Sequence, residues 1–374
     1  MKTLAQRFFC MAVVIVIVMM SGVATMASSH KSDGRTMVYI SNADSREIYV
    51  LELNEKDGSS KVVQKAATAG MVLPLAISPD RQYLYAALRS EPFSVSSFAI
   101  NPQDGTLTPL QTVPLPDNMA YLSTDRSGRY LLGASYSGNK FSVNAIDGKG
   151  QVDAKPLVVV PTGKNAHCIA TDLSNRFLFV SNLGSDVILQ YRFDESSGKV
   201  SPNTPSSVET RKGAGPRHFV FHPNRRFVFS TNELDGTVNT YRLDSSGVLT
   251  LVESTSALPA GFDGKPWTAD IHLTPDGRFL YASERRSSTI AAFRVNQKTG
   301  RLTLISNYPS ETQPRGFNID PQGKYLLAAG QTSNSLTTYA IDHNTGALRK
   351  LGRLDVGKNP NWIEIAALPY KPAH

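Results

Sequence analysis

One unit of sequence recurs six times in this chain: a short apolar run, a turn rich in Pro, Asp, Gly and Asn, an aromatic residue, and a second apolar run. The copies are LAISPDRQYLYAAL, YLSTDRSGRYLLGA, IATDLSNRFLFVSN, FVFHPNRRFVFSTN, IHLTPDGRFLYASE and FNIDPQGKYLLAAG, with the aromatic at Tyr83, Tyr130, Phe177, Phe227, Phe279 and Tyr325. A repeat every 45 to 50 residues or so marks a solenoid or a propeller, because each unit is one supersecondary element that buries its apolar face only against its neighbours. Around Phe227 the unit resolves into four strand-like runs, HFVFH, FVFST, TVNTYRL and VLTLVES, separated by the turn signals HPNRR, ELDG and DSSG. β-Branched and aromatic residues dominate, and no segment carries a sustained helical period. Four short strands per repeat is the signature of a β-propeller blade.

The chain ends complete the count. TMVYISN (36–42) aligns with the second strand of a blade and lacks a first, whereas the C-terminal PNWIEIA aligns with first strands such as PRGFNID. The ends therefore supply different strands of one shared blade, which ties down both termini and closes the ring. Six whole copies and one split copy predict an all-β, seven-bladed propeller of four-stranded antiparallel blades over 36–366, with a short segment 28–35 before it and a tail 367–374 after it. Two stretches, 196–216 and 259–266, are rich in Ser, Pro and Gly and are expected to be enlarged connections between blades, candidates for binding loops.

The first 27 residues stand outside that fold. Lys2 and Arg7 precede an apolar run, Phe8 to Met20, and the small residues around Ala27 suit cleavage, which together make a secretory signal. The run is short for a membrane span of about 20 residues; an uncleaved inner-membrane anchor is the other reading of it. Cleavage predicts a periplasmic or secreted protein with no stable membrane insertion. It also leaves Cys168 as the sole cysteine, in an apolar strand where it reads as a small buried hydrophobe. The formal charge of +8 falls to +6 without Lys2 and Arg7, and the remaining Lys and Arg are scattered, which argues against nucleic acid as a partner.

Function is legible where the copies differ. The start of a first strand and the end of a second share one face of a propeller. Ten residues before the aromatic the copies carry Leu73, Ala120, His167, Arg217, Ala269 and Arg315, with Asn361 in the split blade; six residues after it they carry Arg89, Tyr136, Leu183, Glu233, Arg285 and Gln331, with Ala43 in the split blade. Four arginines, a carboxylate, an imidazole, a phenol and two amides thus converge on one end of the channel. Like charges there repel and are partly desolvated, so the ring suits an anionic small molecule that guanidinium forks can grip. His218 of PRHF and Asp270 and His272 of WTADIHL lie beside these positions as further candidates. His222-Pro223 belongs to a turn at the other end and reads as structural. No zinc-ligand spacing, GxSxG elbow, P-loop, dinucleotide fingerprint or haem motif is present, so neither a metal nor another cofactor is expected.

The segments GAGPRHFVFHPN, STNELDGTV, WTADIHLTPDGRFLYASERRSSTI and ETQPRGFNIDPQGKYLLAAGQ resemble the propeller-type bacterial 6-phosphogluconolactonases and the related fungal carboxymuconate-lactonising enzymes, over essentially 36–366. The resemblance implies a seven-bladed propeller and hydrolysis of a sugar lactone such as 6-phosphogluconolactone, in carbohydrate metabolism and the pentose phosphate route. It also implies catalytic roles for His167, Arg217, Glu233 and Arg285. The leader is the departure from that pattern, and export brings unphosphorylated aldonolactones into the substrate class. In the expected scheme Glu233 or His167 is the general base and the other a proton shuttle, Arg217 and Arg285 hold the oxyanion, and Arg315 with Arg89 binds a phosphate or acid group. Tyr136, Gln331, Asn361, His218, Asp270 and His272 complete the expected substrate contacts. The same ring also fits an exported, non-enzymatic propeller that holds an anionic ligand, or a cyclase that lactonises a muconate-like diacid. A closed propeller needs no partner, so a monomer is expected.

Overall fold

A computed structural model describes residues 34–368. The expected leader, most of the segment 28–35 and the tail from 369 lie outside the described residues. Within them, strands β1 (Arg35–Asn42) to β28 (Pro360–Leu368) form seven four-stranded antiparallel sheets. Six sheets are meanders of consecutive strands. In the seventh, β28 pairs with β1, which continues to β2 (Glu47–Leu53) and β3 (Ser60–Ala67). The split blade is therefore closed as the end segments imply, with Ile40 opposite Ile363 and Val38 opposite Ile365. The ring begins one residue before the expected limit and ends two residues after it. The one helical element among the described residues is a 3-10 turn, Leu183–Ser185, and no described helix is long and apolar enough to cross a membrane.

The repeat has a physical reason at each position. Every repeat aromatic opens the second strand of its blade: Tyr83, Tyr130, Phe177, Phe227, Phe279 and Tyr325. Two residues before it the turn needs a left-handed residue, supplied by Gly128, Gly277 and Gly323 and, with φ near +60°, by Arg81, Asn175 and Arg225. Five residues before it, Asp125, Asp172 and Asp320 accept the aromatic's own N–H at 3.0, 3.0 and 2.6 Å; Ser78 and Thr274 do the same through their hydroxyls. His222 takes that place in one blade and receives the Asn224 N–H instead, with its other nitrogen 3.0 Å from the Gly277 carbonyl, so its role is structural as expected.

The aromatic ring then lies under a turn of the next blade. A Cβ on Gly150 would stand 2.2 Å from Tyr83, one on Gly247 2.2 Å from Phe177, and one on Gly346 2.3 Å from Phe279. All three glycines have positive φ. In the split blade Met37 substitutes, beneath Gly105. The apolar core is accordingly divided into seven clusters, each spanning one interface between neighbouring blades. Cys168 is fully buried in one of them, where burial pushes its thiol up to about 12.

One expectation is corrected. Residues 196–216 are not a loose connection: Lys199–Glu209 is the longest strand among the described residues, β15. It is the outermost strand of its sheet, and an edge tolerates Pro202 and Pro205 because one side of the ladder needs no donor. The ladder to the neighbouring strand is irregular at that point. Residues 259–266 do lie in the connection between β19 (Leu249–Ser256) and β20 (Thr268–Leu273).

Candidate active site

The inner strands of the seven blades are β4 (Val72–Ile77), β8 (Met119–Thr124), β12 (Ala166–Thr171), β16 (Pro216–Phe221), β20, β24 (Pro314–Ile319) and β28. Each touches the inner strands of both neighbours, so together they wall the central channel. In every blade the ladder between first and second strand breaks at the same place. In β12 the register jumps from Ala166 to Cys168, in β24 from Pro314 to Gly316, and in β16 from Pro216 to Phe219. The residue ten before the aromatic is left out of the pairing in every blade: His167, Arg315 and Arg217 in these, and Leu73, Ala120, Ala269 and Asn361 in the others; in β16, β4 and β20 the residue after it, His218, Pro74 or Asp270, is left out as well. A bulge re-aims the side chain it leaves unpaired. The two sequence offsets are also locked to each other. In six blades the residue six after the aromatic donates its N–H to a carbonyl two residues before the bulged one, as Glu233 does to Gly215 at 2.7 Å and Arg285 to Trp267 at 3.2 Å.

The structure brings Arg217, Glu233 and Arg285 together. Arg217 Nε lies 2.8 Å and Arg285 Nη2 2.7 Å from the same Glu233 oxygen, Oε2. The first is an ion pair whose N–H is not aimed along the contact, since Arg217 Nε makes no hydrogen bond. Arg217 Nη1 donates to the Ala269 carbonyl at 2.6 Å. Arg285 Nε donates to the Trp267 carbonyl at 3.0 Å, and its guanidinium lies 3.9 Å from the centre of the Trp267 ring. Burial opposes ionisation of Glu233, but Arg217 and Arg285 outweigh it and hold the carboxyl below its usual range. Arg315 sits in the same field. Its burial and the neighbouring Arg217 and Arg285 push its pKa down, and it has no ion-pair partner among the described residues. Arg89 is held by Asn118 through its Nε and likewise lacks a carboxylate partner.

His167 is 4% exposed, and its ring packs edge-to-face with Tyr136 (5.8 Å between centroids) and His218 (5.0 Å). Burial, then the positive field of Arg217 and its neighbours, holds its pKa well below the usual histidine value, so the imidazole is neutral at pH 7. Its Nδ1 and the Asn361 Oδ1 are buried without a hydrogen-bond partner, an unusual state for buried polar atoms and one that leaves both open to a ligand. The other expected contacts divide. Asn361 Nδ2 donates to the Asn359 carbonyl and Gln331 Nε2 to the Asn359 side chain, so both amides also brace a turn. His218, Asp270 and His272 form a cluster of their own: Asp270 Oδ1 is 2.8 Å from His218 Nδ1, and Oδ2 is 3.3 Å from His272 Nε2. A cavity of about 290 Å³ is lined by these three with Tyr121, Asn318, Trp362 and Glu364, all on inner strands. Among the described residues no three His, Cys, Asp or Glu side chains are grouped to hold a metal ion.

The sequence profile described as "Lactonase, 7-bladed beta-propeller" matches residues 35–365. The chain belongs to this lactonase family. Proteins named 6-phosphogluconolactonase from Serratia proteamaculans and Xenorhabdus nematophila are 40% and 41% identical to it over 334 residues, covering 89% of this chain and 99% and 100% of theirs. The structure described as the periplasmic gluconolactonase of Pseudomonas aeruginosa superposes with a TM-score of 0.83 at 26% identity, over 90% of this chain and all of that one.

Sequence reading missed several residues that border this candidate site. Trp267 and Trp362, the only two tryptophans of the chain, both border it, one under Arg285 and the other in the cavity. Their scarcity was the available signal. Glu364 was also missed. Trp362 Nε1 donates to it at 2.9 Å, yet burial raises its pKa to about 7. Unfolded, the same carboxyl ionises near 4.5. The folded state therefore binds the extra proton between those values, and stability falls as pH rises from about 4.5 to about 7 and stays lower above it. Glu364→Gln removes that charge while keeping an acceptor for Trp362. We expect it to be more stable than wild type at pH 8, by about 1–2 kcal/mol after allowance for solvent screening, and nearly equal at pH 5. Urea unfolding at the two pH values checks this; an equal difference at both would refute it.

Proposed function

We propose that this chain is a sugar-lactone hydrolase that opens aldonolactones of the 6-phosphogluconolactone type. The observation that carries the reading is the Arg217–Glu233–Arg285 clamp standing beside a neutral His167 with an unpartnered Nδ1. Of the two candidate bases, Glu233 already has its Oε2 engaged by both guanidinium groups, whereas the His167 Nδ1 has no partner. We assign the base to His167. A water oxygen attacks the lactone carbonyl and gives its proton to the imidazole; the developing oxyanion faces Arg217 and Arg285; the ring C–O bond breaks, and the imidazolium returns the proton to the leaving alkoxide. Glu233 holds the two guanidinium groups in register. They supply the positive charge a metal would otherwise provide, so the scheme draws on none.

Arg315 and Arg89, the two of the four ring arginines that have no carboxylate partner among the described residues, are placed to bind the anionic end of the substrate. The chain from residue 28 onward should open both 6-phosphogluconolactone and gluconolactone faster than they open spontaneously; initial rates equal to those of an Arg217→Ala/Glu233→Gln double variant on both lactones sink the reading. Within the same assay, Arg315→Ala should raise KM for the phosphorylated lactone about 10- to 100-fold, the worth of one charged hydrogen bond, and leave the free lactone within about threefold. Export belongs to the same reading. The Lys2–Ala27 pattern supports it, and one solved relative is described as periplasmic; recovery of the protein in the cytosolic fraction argues against it. A ring closed by its own two ends supports a monomer, which size-exclusion chromatography tests.

A further inference from the structure

We propose that Asp270 and His218 form a positioning dyad that aims the Arg217 guanidinium at the substrate. The proposal rests on the lactonase reading and extends it to two residues that act through Arg217.

The geometry fixes every proton. Arginine has donors only, so the 3.1 Å contact between Arg217 Nη1 and His218 Nε2 requires a lone pair on Nε2. The His218 proton is then on Nδ1, where it is donated to Asp270 Oδ1 at 2.8 Å. Asp270 is itself held on all sides: the Ile271 N–H donates to Oδ1 at 3.0 Å and the Phe317 N–H to Oδ2 at 3.2 Å, with His272 on Oδ2. The His218 ring is confined by Tyr121 at 5.0 Å and Trp362 at 5.6 Å, and packs against the His167 ring at 5.0 Å between centroids. Arg217, 1% exposed, thus spends its Nη1 hydrogens on the Ala269 carbonyl and His218, and its Nε on the ionic contact with Glu233. Nη2 alone has no protein partner among the described residues. Its two hydrogens are what remains for a developing oxyanion. An aspartate that sets a histidine tautomer, with the histidine acting on a third group, is the logic of a triad in which the third group here is a guanidinium instead of a nucleophile.

The test is a kinetic cycle with a spectroscopic arm. In wild-type protein labelled with 15N-histidine, His218 should show a protonated Nδ1 and a bare Nε2; a protonated Nε2 overturns the dyad whatever the activity. Asp270→Ala should lower kcat for 6-phosphogluconolactone at least tenfold with KM within about threefold, because the interaction matters at the transition state. In the His218→Gln background the same Asp270→Ala change should cost nothing more, since a glutamine oxygen accepts from Arg217 without Asp270. Losses that multiply in the double variant overturn the proposal. If Asp270→Ala does not fold, His218→Gln against His218→Phe decides. Gln keeps an acceptor and should retain at least tenfold more kcat than Phe, and equal rates overturn the dyad. Wild-type protein that opens no lactone refutes the lactonase reading itself, a result separate from an additive cycle in an active enzyme.

Discussion

Arg217→Ala is expected to lower kcat/KM for 6-phosphogluconolactone about 1,000-fold. Loss of a single oxyanion donor costs on the order of 100- to 1,000-fold in kcat, and Arg217 is more than one donor. It also shares the Glu233 oxygen with Arg285 and lies against His218. Without it Glu233 shifts toward Arg285, so the second oxyanion donor is misplaced as well. Arg217→Lys keeps the charge but reaches only one partner at a time, where the guanidinium serves the Ala269 carbonyl, His218 and Glu233 together. A loss of about 100-fold is expected for it. Folding should survive both changes, because Arg285 still neutralises Glu233 and the apolar core lies between the blades. The measurement is the initial rate of lactone opening above the spontaneous rate, with thermal unfolding as the control. Wild-type kcat/KM in a folded Arg217→Ala protein removes Arg217 from the mechanism.

The architecture was legible because one physical demand recurs at every blade. The aromatics of the repeat lie under glycine turns of the next blade, and the residues two and five before them close the turn, so the chain repeats what each interface needs. The ring of polar residues was legible for the complementary reason. The bulged position has no fixed packing duty, and where Leu73 or Ala269 fills it with an apolar group, His167, Arg217 and Arg315 do not. The repeat does not say which way a side chain turns once the ladder releases it. His218 and Asp270 are 52 residues apart, and the structure joins them to each other and to Arg217, a link the repeat does not reveal. Glu364 was hidden for a related reason. It lies on a strand whose first-to-second pairing joins the two ends of the chain, and its neighbours His272 and Asp270 come from another blade. The Pro- and Ser-rich stretch before Gly215 misled because composition reports a weak ladder, and an outer edge strand tolerates one.

For His167→Gln the expected loss in kcat is about 100- to 10,000-fold, the range for removal of a general base, with KM changed little. The pH profile carries the sharper test. The imidazole of a free histidine takes up a proton near pH 6.5, whereas here burial comes first and then Arg217, His218, Arg315 and Arg285 to hold His167 well below that value. The working, neutral base is therefore present throughout the range above 6.5, and wild-type kcat/KM should stay level down to pH 6.5 and fall only below it. Arg315→Met removes one of the surrounding charges, so protonation becomes easier and the acid limb should move upward, toward 6.5. A carboxylate base would place the limb elsewhere: burial opposes ionisation of Glu233, but Arg217, Arg285 and Arg315 outweigh it and hold the carboxyl below its usual range, so its limb would lie below the ordinary carboxylate range. Stability follows the same histidine. The unfolded chain binds its proton near 6.5 and the folded state does not, so the contribution of His167 to stability is lost as pH falls below 6.5; that of His218, lowered to about 3 chiefly by burial, is lost across the same window, while Glu364 contributes in the opposite sense between about 4.5 and 7. Activity should therefore be measured in short assays that outrun acid unfolding. An acid limb that stays in place when Arg315 is replaced, in a protein that remains folded, assigns the base to a group other than His167.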